Sequence, residues 1–230
     1  NYEKALDDYD AAIRLTPKEA RIYASRAAAF VRLRNFRMAV RDYTEAVKLD
    51  HSVARLLDRA DAFKRVRRTD LALDDLTDAI GLAPDSPMLY RARGEIYARN
   101  NAYDRAIADY NHAIRLDPVA MSFLDRGMAY YLKGDKADLD RALADYDRAI
   151  ALDDRMALAY NNRGLALRDK GELGRAYADF STALELDPDL AIAREHRQAL
   201  AVQMARLGEK GLKSHTTLAC AAGIKDCNRH

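Results

Sequence analysis

The sequence predicts an all-α fold built of stacked antiparallel helix hairpins. One phrase recurs six times at a nearly constant interval, and within each copy the apolar residues follow the helical period. Composition agrees. The 230 residues are 49% hydrophobic and 32% charged, with only 10 Gly and 5 Pro. That balance excludes collagen-like, low-complexity and disordered chains, and it disfavours a many-turned β architecture. The longest apolar runs fall far short of the ~18 residues that span a bilayer. We therefore expect a soluble chain, cytoplasmic or periplasmic, with no membrane span.

The copies run from Tyr2 to Pro17, Phe36 to His51, Asp70 to Pro84, Tyr103 to Pro118, Leu139 to Asp154 and Leu173 to Pro188. Their anchoring alanines, Ala5, Ala39, Ala72, Ala106, Ala142 and Ala176, are separated by 34, 33, 34, 36 and 34 residues. A second phrase precedes each later copy, at Tyr23, Leu56, Tyr90, Phe123 and Tyr160, each followed three residues on by Arg and then Ala or Gly. Phe30, Phe63, Tyr97, Tyr130 and Leu167 lie seven residues after those positions. Ala106, Ile107, Tyr110, Ala113 and Ile114 show the helical spacing inside one copy. Gly134, Gly171 and Asn101 stand between paired phrases, where a helix end wants a left-handed residue. Each pair of phrases is thus a hairpin too small to bury its own apolar face, so neighbours must stack into a continuous core.

In these phrases the chain resembles the tetratricopeptide repeat family, in its bacterial form, from Tyr2 to Pro188. The resemblance implies a right-handed α-solenoid: the second helix of one motif, then five motifs at about 18–51, 52–84, 85–118, 119–154 and 155–188. Residues 189–207 read as a capping helix and 208–230 as a basic tail. Opening on a second-helix phrase, the array is expected to be cut from a longer one or to lack its first helix. His51 and Asp154 replace the closing proline. Three extra residues near Lys136 to Asp138 are expected to lengthen one inter-helix turn. Arg34 and Arg67 take the slot where glycine is usual, at ~1 kcal/mol each if the left-handed conformation is kept.

Two charges recur with the repeat. Arg26, Arg59, Arg93, Arg126 and Arg163 share one slot of the first helix; Asp42, Asp75, Asp109, Asp145 and Asp179 share one slot of the second, with Asp8 as the orphan copy. An Arg at a packing slot needs a partner, because an unpaired buried charge is costly. We expect Arg–Asp pairs that set the packing register, as from Arg26 to Asp42 or Asp8.

The family presents its first helices on a concave face. Carried onto this chain, the partner-binding slots include Met88, Arg91, Met121, Leu124, Met128, Tyr131, Leu158, Asn161 and Leu165. Methionine-rich apolar surface suits a peptide or helical partner. The carboxylate clamp of the family's chaperone-tail binders is missing, since Asp61 and Glu95 would repel a carboxylate. A basic edge, Lys64, Arg65, Arg67 and Arg68 with Arg34, Arg37 and Arg99, crowds successive turns. It could meet phosphates or an acidic protein, but no aromatic residues interleave for base stacking. The overall charge of +2 adds little field, since the first 207 residues hold 34 charges of each sign. Nucleic acid is disfavoured as a partner.

No GxGxxG, P-loop, GxSxG or HExxH pattern occurs. His215, Cys220, Cys227 and His230 match no familiar zinc spacing, and a Cys220–Cys227 disulfide is the alternative. We expect no catalysis, no cofactor and no metal. The reading is a scaffold or adaptor holding a peptide or helix on its concave surface. Its rivals are a regulatory or targeting domain of a larger enzyme and a self-associating assembly module.

Overall fold

The computed structural model describes the backbone over residues 2–221 and the side chains over 3–208. Among the described residues there are twelve helices and no strand. The chain forms two compact units, Asn1–Pro118 and Val119–His230.

In the first unit, α1 (Tyr2–Leu15) packs on α2 (Ala20–Arg32), and three hairpins follow: α2 with α3 (Phe36–Leu49), α4 (Val53–Arg65) with α5 (Thr69–Leu82), and α6 (Pro87–Arg99) with α7 (Tyr103–Leu116). The second unit holds the hairpins α8 (Ala120–Lys133) with α9 (Lys136–Leu152) and α10 (Ala157–Asp169) with α11 (Leu173–Leu186), then α12 (Ala191–Ala221). The recurring alanines explain the close packing. Ala39, Ala46, Ala72, Ala79, Ala106, Ala113, Ala142, Ala149, Ala176 and Ala183 are all fully buried where helices meet. Opposite them, Gly94, Gly127 and Gly164 leave room for a ring: a Cβ at Gly164 would stand 2.7 Å from Phe180.

Cores are shared between hairpins. Ala60, Phe63, Ala72, Leu76 and Ile96 form one cluster drawn from α4, α5 and α6; Leu167, Ala176, Phe180 and Leu200 form another from α10, α11 and α12. A repeat with no interior of its own is completed by its neighbour.

The turns follow one rule. Arg34, Arg67, Asn101, Gly134 and Gly171 all have φ between 58° and 87°. Four of the five turns repeat one hydrogen bond, in which the amides of Asn35, Arg68, Ala102 and Glu172 each donate to a carbonyl five residues back at 2.9 Å. This is the bond that ends a helix on a left-handed residue.

The exception is the α8–α9 connection, which corrects one expectation. The extra residues Lys136 to Asp138 do not lengthen the turn, which is only Gly134 and Asp135. They become the first helical turn of α9, which has 17 residues where α3, α5, α7 and α11 have 14. A helix absorbs them because Asp138, buried there, is held by Arg141 at 2.8 Å and Lys133 at 3.4 Å.

Helix α12 buries Ala193 and Leu200 and turns Arg194, Glu195 and Gln198 to solvent. It runs on to Ala221, so no helix end marks position 207. The expectations for His215, Cys220, Cys227 and His230 lie outside the residues whose side chains are described.

Candidate functional site

All five repeated arginines reach their repeated aspartates. Each uses Nε and Nη2 on the two carboxylate oxygens: Arg26 on Asp42 at 2.6 and 2.9 Å, Arg59 on Asp75 at 2.9 and 2.6 Å, and Arg93 on Asp109 at 2.9 and 2.8 Å. In the second unit Arg126 holds Asp145 at 2.8 and 2.5 Å, and Arg163 holds Asp179 at 2.8 and 2.7 Å. The aspartates are buried, and the flat guanidinium matches them as a fork. Hydrogen bonding to the partner aspartate raises the pKa values of Arg26, Arg93, Arg126 and Arg163 above the ordinary guanidinium value. Four guanidinium groups also lie 5.4 to 5.8 Å from an aromatic ring centre on their own helix.

In Arg26, Arg93 and Arg163 the remaining Nη1 reaches back to the preceding second helix. Arg26 meets Asp10 rather than Asp8, Arg93 meets Thr77 at 3.1 Å, and Arg163 meets Asp147 at 2.7 Å. Asp8 is exposed on α1, two residues before the position that faces Arg26. The sequence held this signal: Asp10, Thr44, Thr77, Asn111, Asp147 and Ser181 are short oxygen-bearing residues at the repeat interval. Each fork therefore ties its own second helix and, where Nη1 is engaged, the helix before.

The expected groove positions divide by exposure. In the first unit Met88 is 58% exposed at the start of α6, and Arg91 one turn on is half-buried. In the second unit Met121 on α8 and Leu158 on α10 are 40% and 46% exposed, while Met128, Tyr131 and Leu165 are half-buried.

Two positions are corrected. Leu124 is only 6% exposed, because the helical period turns it with Gly127 toward the packed side. Asn161 is 1% exposed: His196 of α12 covers it, with its Nδ1 2.9 Å from the Asn161 Oδ1. Neither presents a side chain to a partner.

Tyr131 was expected as groove lining and also has a second role. Its hydroxyl donates to Asp169 at 2.7 Å, joining α8 to α10. Burial, then Asp169, pushes its phenol up to about 12, so it stays a donor at neutral pH. Beside it opens a cleft of about 600 Å³ at the α8–α9 turn, lined by Leu132, Leu139 and Asp135 and crossed by a Lys170–Asp140 pair at 2.8 Å. Periodicity does not show this cleft, because it arises where the α8–α9 turn shortens. Asp61 and Glu95 bind Lys64, Arg65 and Arg99 on their own helices.

Among the described residues, no group of three or more His, Cys, Asp or Glu side chains is placed to hold a metal ion. No described helix is long and apolar enough to cross a membrane.

Comparison with known proteins supports the architecture. A chain of the APC/C hetero-tetramer Cut9-Hcn1 superposes with a TM-score of 0.63 at 18% identity, over 87% of this chain and 39% of that one. This chain therefore spans about two fifths of that structure's length. YrrB, a TPR protein with an unusual peptide-binding site, gives 0.64 at 19% identity over 83% of this chain and 97% of its own. MamA gives 0.64 at 25% identity over 72% and 96%. These likenesses show an all-α helical-repeat solenoid. Two tetratricopeptide repeat models match the sequence itself, at residues 57–120 and 157–190. With the recurring phrase and the paired helices, these matches make the chain a tetratricopeptide repeat protein.

Proposed function

We propose that this protein is a non-catalytic interaction scaffold that holds a peptide or helical segment of a partner against its first helices. The observation that carries the reading is the exposure of Met121 and Leu158 at one slot of successive first helices, α8 and α10, with Met128 and Leu165 half-buried at another. Large apolar side chains left uncovered at corresponding slots are surface that a partner can desolvate. Thioethers adapt to varied contacts, and a stacked helical frame loses little freedom on binding. The peptide-binding site of YrrB, a protein of the same fold, supports the same use of the scaffold.

Peptides selected from a random display library on the folded protein test this reading. Met121→Glu with Leu158→Glu should abolish their binding, and Tyr177→Glu, an exposed change on second helix α11, should not. Equal binding to the double variant, with its melting temperature unchanged, would remove the proposal. Met128 is unsuited to this test, because a charge at a half-buried position also costs folding.

A further inference from the structure

The turns of the first unit carry a second surface. Arg34 and Arg37 flank the start of α3, while Arg65 and Arg67 stand at the end of α4 and in its turn. With Asn35, Phe36 and Val66 they line one open depression of about 480 Å³, and no carboxylate lines it. Arg65 is held by Asp61 at 3.1 Å, and its guanidinium lies 5.5 Å from the centre of the Phe36 ring. Arg34, Arg37 and Arg67 are exposed, and none of their guanidinium groups has a hydrogen-bond or ion-pair partner among the described residues.

The local chemistry runs against stability. The first turn of a helix favours anions, and α5, α7 and α9 carry Asp70, Asp104 and Asp138 there. Helix α3 has no acidic residue in its first turn and gathers arginines instead. Arg34 and Arg67 also hold the left-handed conformation that Gly134 and Gly171 adopt without cost. Like charges crowded without counterions are compensated when an anionic ligand supplies the missing charge.

We propose that this depression docks an acidic segment of a partner protein, an extended stretch with two or more Asp or Glu side chains. The arginines are spread over two successive helix layers, which lie ~8–10 Å apart. Carboxylates two or three residues apart in an extended strand stand ~7–10 Å apart, so with their flexible stems they can meet arginines of both layers, whereas a single phosphate cannot. Guanidinium forks suit carboxylates. A nucleic acid fits less well: Arg65 occupies the Phe36 face that a base would need, and the first 207 residues carry no net charge.

Fluorescence anisotropy tests the assignment with a labelled Glu-Ser-Glu-Ser-Glu peptide, its Gln counterpart, a phosphoserine peptide and a single-stranded oligonucleotide of equal charge. The Glu peptide should bind the wild type in a salt-sensitive way, and more tightly than the other three. Arg34→Gly with Arg67→Gly keeps the left-handed turns, so the variant should fold with an unchanged or raised melting temperature. It should bind the Glu peptide about tenfold more weakly, the sum of two exposed charge-assisted contacts. Met121→Glu with Leu158→Glu should leave this affinity alone, which separates the two surfaces. The proposal is overturned by unchanged affinity in the glycine variant, by equal binding of the Gln peptide, or by tighter binding of the oligonucleotide or the phosphopeptide. No binding of the Glu peptide to the folded wild type overturns it as well.

Discussion

The two units solve the same packing problem with different residues. At the slot where a first helix packs on the large residue of its partner, the first unit sets Ala27 with Tyr43, Ala60 with Leu76 and Gly94 with Tyr110, and the second sets Gly127 with Tyr146 and Gly164 with Phe180. At the left-handed turn the first unit places Arg34, Arg67 and Asn101, and the second places Gly134 and Gly171. The Arg–Asp fork recurs in both, with Nε and Nη2 on the same two oxygens. Where every copy agrees, the packing of a hairpin leaves no choice. Where the units diverge, the backbone accepts more than one residue, and something besides folding can select among them.

The fork gives the largest expected effect. Arg93→Ala in the first unit leaves Asp109 buried without its cation, and Arg163→Ala does the same to Asp179 in the second. Each should cost about 3 kcal/mol in denaturant unfolding, since a buried charge stripped of its partner is among the costliest changes. A stability-neutral Arg93→Ala would remove the structural role of the fork. A cost in only one unit would break their equivalence.

Next comes the small-residue slot of the first helices. A Cβ at Gly164 would meet the fully buried Phe180 ring at 2.7 Å. Gly164→Ala should therefore destabilise by about 2 kcal/mol, although alanine is the better helix former. The reciprocal Ala60→Gly should cost only about 1 kcal/mol, mostly helix propensity. Equal costs would show that the backbone spacing adjusts to the side chain.

The turn slot should reverse the sign. Arg34→Gly relieves a left-handed Arg at φ 58° and should raise stability by at most about 1 kcal/mol, because glycine also loses more freedom on folding. Thermal unfolding of this single variant checks the point. A loss of stability would mean that Arg34 makes a folding contact.

These contrasts mark how much the residues disclose before any coordinates. The hairpins were legible because their alanines recur at a fixed interval, and the forks because an Arg at a packing slot demands an acid. The position of the second acceptor was equally periodic but chemically mixed, Asp opposite Arg26 and Arg163 and Thr opposite Arg93, so it did not stand out. Exposure was the least legible property. Nothing local distinguishes Asn161 from an open groove position, because His196, which covers it, lies 35 residues away on α12. The Lys136–Asp138 addition could have extended either a loop or a helix, and only the pairing of Asp138 with Lys133 and Arg141 settled which.

His196 gives the smallest effect and belongs to the second unit alone. It sits between Asn161 and the Phe180 ring, whose centre is 5.4 Å away. Burial first, then the positive charge of Arg168, lowers its pKa below the ordinary 6.5, partly opposed by Glu195. In the unfolded chain the same imidazole takes a proton near 6.5, so the unfolded state binds more protons across the window between the two values. Stability contributed by neutral His196 is thus complete above 6.5 and lost as pH falls from there through the lower folded value. Chemical denaturation of wild type and His196→Gln at pH 7.5 and 5.5 checks the sign, with the variant cancelling the titration of every other group. The wild type should lose more stability on acidification than the variant. An equal loss would mean that His196 titrates alike in both states, and the docking of α12 on α10 would then owe nothing to a neutral imidazole.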